Sequence, residues 1–359
     1  MTMTTPKVSV LIPVYNVENY IERCAVSLFE QTYDNIEYVF VNDCTPDGSI
    51  QRIEQVIKRY PLREKSTRII NHTVNRGLAA ARNTAVENCT GEFIIHVDSD
   101  DYVELNLVKT LVNQQLSSKA DIVTGMGVMH MLNGNKLLPN PHYNSKEEFV
   151  TDMMQLTINH VIWKRLIRRS LYDDYDVRAK EGVNCGEDCW VMTQLAYYAS
   201  SFSFVDEVLY HYDCTREDSY MANKEGVINK KRLRDDIATA NLIIDFFKDK
   251  EQVFFDEANR VAITFINLIM RKAASAGDKG FYQELLALLN GYDKRFWPAI
   301  DWDKSYRRIL SQNFHSLKAD VFYRDKFLIR LRQAQPLKSI QIRIMGIINK
   351  IARVRRKNT

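Results

Sequence analysis

Apolar and polar positions alternate along the first hundred residues in two rhythms. Val8–Val14 (VSVLIPV) is an unbroken apolar run, which predicts a strand covered on both faces. After it Ile21, Ala25, Leu28 and Phe29 recur at helical spacing, with Asn16 as the expected N-cap. The run 36–41 (IEYVFV) predicts the second strand, and Pro46-Asp47-Gly48 turns into a helix carrying Ile50, Ile53, Ile57 and Tyr60. Pro61 stops that helix. STRIIN, a helix over 77–88 and FIIHV continue the alternation, and Leu105, Val108, Leu111, Val112 and Leu116 mark a fourth helix. Strands alternating with helices predict an α/β fold, a mainly parallel Rossmann-like sheet with helices on both faces.

Beyond about residue 120 the alternation decays. The run 121–138 reads as a strand and hairpin turning at Asn133-Gly134, and SFSFVDEVLYHY as a final strand pair. From about 225 to 337 the spacing is helical. The expected division is 1–224 as the catalytic domain, 225–336 as a helical C-terminal region and 337–359 as a tail.

Charge changes the picture at that tail. Of 49 Lys and Arg, ten lie in 326–359, which has no Asp or Glu; the rest of the chain holds 39 basic against 45 acidic residues. Leu337, Ile340, Ile344, Ile347, Ile348, Ile351 and Val354 form one helical stripe beside Lys338, Arg343, Lys350 and Arg353. Such a helix is expected on an anionic membrane face, with docking on the body or a nucleic-acid arm as alternatives. No apolar run reaches membrane-spanning length and the N-terminus lacks a secretory pattern. Six cysteines without a C-x-x-C pair read as reduced thiols rather than a zinc site. Together these predict a cytoplasmic protein held peripherally at the inner face of the membrane.

The candidate chemistry sits just after the strands, where open α/β sheets bind ligands. GEFIIHVDSDDYVE runs a strand into Asp98, Asp100 and Asp101 with no neighbouring Lys or Arg. Crowded carboxylates repel unless a cation offsets them. A D-x-D can hold Mg2+ or Mn2+ with substrate phosphates, although Asp101 could equally cap the next helix. Asp43 can accept from a base or ribose, or simply turn the chain. Arg82, in a helix opening at Gly77, suits phosphate or solvent. Glu187-Asp188 either complements a helix dipole or supplies a general base. His211 is a candidate for the metal shell or the diphosphate, or is structural.

In order, VSVLIPVYN, VNDCTPDGS, NRGLAAARNTA, HVDSDD and GEDCW resemble the family 2 glycosyltransferases of GT-A fold, over roughly residues 6–222. The resemblance implies a nucleotide-sugar donor, uridine diphosphate first among the carriers, a divalent metal and inversion at the anomeric carbon. By position Pro13, Tyr15, Asp43, Arg82 and Asp98 would line the nucleotide, joined by Asn75 and Ser99 in the same motifs. Asp100 would bind the metal and Asp188 of the Glu187-Asp188 pair would be the base. Asn42 and Cys44-Thr45-Pro46 depart from the usual second motif. Tyr210-His211-Tyr212-Asp213 replaces a late Tyr-Tyr-Arg, so Arg216 is the candidate for the diphosphate contact. The expected acceptor is a glycan or lipid-linked saccharide in surface polysaccharide assembly, and no nucleic acid partner is expected. A sugar nucleotidyltransferase and a non-catalytic sugar-binding protein are the alternatives.

Overall fold

The computed structural model describes residues 5–155, 158–215 and 229–296. Strand β1 (Val8–Val14) leads into α1 (Ile21–Phe29), β2 (Ile36–Asn42), α2 (Ser49–Arg59), a single turn α3 (Pro61–Glu64) and β3 (Thr67–Asn71). Then come α4 (Leu78–Glu87), β4 (Phe93–His96), β5 (Tyr102–Val103), α5 (Leu107–Ser118), β6 (Ile122–Met131), β7 (Gly134–Leu138) and α6 (Lys146–Met154). A 3-10 turn at Ile158–His160 precedes β8 (Arg165–Arg168), α7 (Ser170–Asp173), α8 (Glu187–Tyr198) and β9 (Phe202–Asp213). Helices α9 (Lys230–Phe247), α10 (Gln252–Ser275) and α11 (Lys279–Asn290) follow. The described residues fall into two compact units, one up to Phe265 and one from Ile266 on. In the second, Phe281, Tyr282, Leu285 and Leu289 turn inward from α11.

Among the described residues nine strands form one sheet in the order β3-β2-β1-β4-β8-β6-β9-β5, with β7 on β6. The first four are parallel, and β8 joins β4 antiparallel. Both faces are apolar. Val8, Val10, Ile12 and Val14 of β1 pack with Leu28 of α1 and Leu111 of α5, whereas Leu11 packs with Ala81 of α4 and Leu195 of α8. That double covering is why the early strands read as continuous apolar runs.

Two local expectations are corrected. SFSFVDEVLYHY is one continuous strand, β9, parallel to β6, with the irregularity taken up by a register shift near Met126. Asn16 does not cap α1: it adopts φ 54, and the cap position is Tyr20. An Asn tolerates that left-handed turn, which lets the chain leave β1 sharply.

The chain runs outward from β1 to β3, then returns to place β4 on the other side of β1. The switch point therefore lies between β1 and β4. β4 pairs β1 only from Val8 to Leu11, so beyond Leu11 the two strands part and a crevice opens at their carboxyl ends. Pro13 suits this stretch of β1, which needs no ladder N–H toward β4.

Candidate active site

Tyr15, 47% exposed, stands just past β1, and Asp98, Ser99 and Asp100 stand just past β4, on the two sides of the crevice. Pro13 is buried within β1 and holds the strand rather than facing outward. The counter-charge missing from the local sequence arrives from α4. Arg82 is buried, with Nη2 donating to Asp98 Oδ1 at 3.0 Å and lying 3.6 Å from Glu187 Oε1. Its Nη1 is 2.7 Å from Asp188 Oδ1, a close ionic contact without hydrogen-bond alignment, since neither atom has a hydrogen-bond partner. Three carboxylates from two segments thus surround one guanidinium.

The electrostatics follow from that ratio. Burial works against the charge on Arg82, but Asp188, Asp98 and Glu187 outweigh it and raise the pKa further. Burial pushes Asp98 up to about 6, with Asp188 and Asp100 adding to it against Arg82. Glu187 is pushed up to about 8 by burial and then by Asp188. Carboxylates that raise one another in this way suit a cation. Asp98 and Asp100 have the oxygen chemistry for Mg2+ or Mn2+, which one or two carboxylates hold together with substrate oxygens. Among the described residues no three His, Cys, Asp or Glu side chains converge into a ready-made cage.

Asp188 enters the crevice because Gly186, at φ 79, turns the chain into α8. A Cβ there would lie 2.8 Å from Thr239 Oγ1. Asp188 Oδ2 accepts the N–H of Ile162 at 3.3 Å, and its side chain remains 14% exposed. Glu187 lies deeper, at 6%. Asp188 is thus the more exposed of the pair, at 14% against 7% for the Glu187 side chain.

Several expected ligand residues have other work. Asp43 is 3% exposed, and its carboxylate faces His72 Nδ1 at 2.7 Å and accepts the N–H groups of Arg76 and Gly77 at 2.8 and 2.7 Å. It organises the loop into α4. Asn75 is exposed and donates to the Asp43 carbonyl at 3.2 Å. Asp101 is not a helix cap: wholly buried, it accepts from Tyr210 Oη at 2.7 Å and from the Asp213 N–H at 2.9 Å. His211 is engaged by other side chains. Its Nε2 lies 2.7 Å from Glu104 Oε1, its Nδ1 3.0 Å from His130 Nε2, and its ring stacks on Tyr102. Arg216 and the tail lie outside the described residues.

Two supports were not anticipated. Tyr210 Oη accepts the Asp98 N–H at 3.1 Å while donating to Asp101, and so fixes the D-x-D backbone from β9. Arg23 of α1 donates to the Asp100 carbonyl at 3.1 Å and to Asp213 at 2.6 Å, and its guanidinium lies 4.5 Å over Tyr102. Period-2 alternation along β9 was the available signal for Tyr210; Arg23 had none, because its partners are 77 and 190 positions away.

An α/β sheet with a carboxylate cluster at its switch point defines the class as GT-A. The crystal structure of S. aureus TarS residues 1–349 in complex with UDP-GlcNAc has the same fold, with a TM-score of 0.67 and 19% identity over 89% of this chain and 92% of that one. The family model described as glycosyl transferase family 2 matches residues 9–176. The uncharacterized glycosyltransferase EpsJ of Bacillus subtilis is 31% identical over 215 residues, 58% of this chain and 61% of EpsJ. The poly(ribitol-phosphate) beta-glucosyltransferase of Bacillus spizizenii is 29% identical over 223 residues, 60% of this chain and 33% of that one. The match thus spans about three fifths of EpsJ and a third of the glucosyltransferase.

Proposed function

We propose that this chain is an inverting glycosyltransferase that moves a sugar from a nucleoside diphosphate, uridine diphosphate first among the carriers, to a hydroxyl of a glycan or lipid-linked saccharide. The observation that carries the reading is the crevice between β1 and β4, with Asp98 and Asp100 on one rim and Asp188 held at its wall by Arg82 and Ile162. The match of residues 9–176 to the family 2 model and the fold shared with a UDP-GlcNAc-bound protein support it.

Each part of the chain then has a task. Asp100, with Asp98 beside it, would hold Mn2+ or Mg2+ against the diphosphate. When bound, the ion neutralises charge building on the leaving group. Tyr15 offers an exposed ring at the mouth for the base. Asp188 takes the proton of the acceptor hydroxyl as it attacks, an effect typically worth about 10² to 10⁴ in rate. Arg82 keeps Asp188 in place. Supplying base and leaving-group support from different segments suits displacement from opposite sides.

The acceptor and location are part of the same proposal. A relative named for poly(ribitol-phosphate) favours a cell-surface polymer or its lipid-linked precursor. The basic stripe at 337–359 would hold the enzyme at an anionic membrane surface on the cytoplasmic side. Among the described residues no helix is long and apolar enough to cross a membrane.

The test is transfer from a panel of UDP-sugars, with and without Mn2+, by the wild type and Asp188→Asn. The reading expects metal-dependent release of UDP with acceptor glycosylation, and loss of transfer but retained donor binding in the variant. Release of pyrophosphate would instead identify a sugar nucleotidyltransferase. Full turnover by Asp188→Asn would remove Asp188 from its role.

A further inference from the structure

Behind Asp188 lies a small cavity lined by Arg82, Asn83, His96, Ile162, Tyr172 and Asp188, with Val86, Ala179 and Val191 completing its walls. Its volume is about 10 Å3, room for one water. Four buried polar atoms on these lining residues lack a hydrogen-bond partner: Arg82 Nε, Arg82 Nη1, Asp188 Oδ1 and His96 Nδ1. Buried polar groups are very rarely left unpaired, and a guanidinium least cheaply of all. The atoms have matching chemistry. The two arginine N–H groups are donors and the Asp188 oxygen is an acceptor. His96 Nδ1 is an acceptor when the ring proton sits on Nε2, which lies 3.0 Å from Tyr172 Oη. The N–H bonds at Arg82 Nε and Nη1 diverge by about 120°, so one water accepts from one of them and gives its two protons to Asp188 Oδ1 and His96 Nδ1.

We propose that this cavity binds one ordered water, and that His96 acts through it as a positioning residue for Arg82 and Asp188. The proposal rests on the reading of Asp188 as the base. The water links the end of β4 to α4 and α8, three elements that meet at the crevice. It pairs one N–H group of Arg82 beside Asp188. It also fixes Asp188 Oδ1, so that Oδ2, lightly held by Ile162, is the oxygen left to face an incoming hydroxyl. His96 is wholly buried; burial and then Arg82 hold its pKa well below the usual histidine range, so it enters the network as a neutral ring. It touches neither donor nor acceptor.

Two measurements on the full chain test this. A high-resolution crystal structure of the wild type should show a water in hydrogen-bond contact with Arg82, Asp188 and His96 Nδ1. A dry cavity, or these atoms paired with protein groups, overturns the proposal without reference to any variant. In transfer assays His96→Leu, which fills the space but removes Nδ1, should lower kcat by about three- to tenfold, the cost of a lost hydrogen bond to the water, with KM for the donor unchanged. His96→Asn, which keeps a polar atom near the Nδ1 position, should stay within a few-fold of wild type. Equal losses in both, or a loss expressed only in KM, would contradict a positioning role. The outcomes separate the two readings: an ordered water in a protein that transfers no sugar defeats the function, and transfer above a dry cavity defeats the inference.

Discussion

Replacing Arg82 with Met tests whether charge, rather than packing, holds the site together. Methionine keeps most of the buried volume and removes the cation that Asp98, Asp188 and Glu187 share at 3.0, 2.7 and 3.6 Å. Breaking a buried ion pair from one side typically costs about 3–5 kcal/mol, because the partner charge stays buried. That cost depends on pH in a fixed direction. Asp98 and Glu187 are pushed up to about 6 and about 8, above their ordinary values near 4, so the folded state binds more protons than the unfolded state between those limits. Stability from these groups is therefore present at low pH and is lost as pH rises through about 6 and then about 8. At pH 5 both are largely protonated. At pH 8 Arg82 faces an ionised Asp98 and a partly ionised Glu187. The variant should lose about 3–5 kcal/mol at pH 8 and at least ~1.4 kcal/mol less at pH 5, the equivalent of one pKa unit. At about 2–4 °C per kcal/mol, melting curves should show a drop of roughly 6–20 °C at pH 8 and a visibly smaller one at pH 5. Equal destabilisation at both pH values would mean that Arg82 acts by packing, and the electrostatic account would be refuted.

Asp100→Ala should abolish the Mn2+-dependent part of the thermal shift produced by UDP while leaving the unliganded melting temperature within a few degrees; an undiminished shift would clear Asp100 of metal binding. Gly186→Ala forces a side chain into φ 79 and to within 2.8 Å of Thr239 Oγ1. It should lower stability by about 1–3 kcal/mol and lower transfer as well, since it displaces the start of α8 and with it Asp188. Deleting 337–359 should move the protein from anionic vesicles to the soluble fraction in flotation assays, and unchanged flotation would show that another surface binds the membrane.

Much of the fold was legible because its elements are local. Strands covered on both faces must be apolar throughout, and the helices between them carry one apolar stripe, so 1–120 could be read from spacing alone. The positions of the polar motifs followed from the rule that such sheets bind at their carboxyl ends. The partners of those motifs did not. Asp98 meets Arg82 across 16 positions and Tyr210 across 112. Asp43 sits where a ligand contact was expected, and its oxygens also tie down the loop 72–77, a closure that only the folded backbone reveals. His211 follows the same logic: the β5–β9 pairing brings it against Tyr102, and Glu104 and His130 take its nitrogens. Acidic residues adjacent in sequence also proved different in kind, with Asp101 buried among hydrogen bonds while Asp98 and Asp100 remain partly exposed.

The central claim is that the acidic rim of this sheet is arranged to carry a divalent ion on a nucleoside diphosphate, opposite Asp188. Anomalous scattering from crystals of the full chain grown with Mn2+ and UDP measures that directly. The account predicts a manganese peak within coordinating distance of an Asp100 oxygen and of the diphosphate, with the uracil toward Tyr15. A diphosphate bound away from the β1–β4 crevice, or manganese bound at a site remote from Asp100, would contradict it.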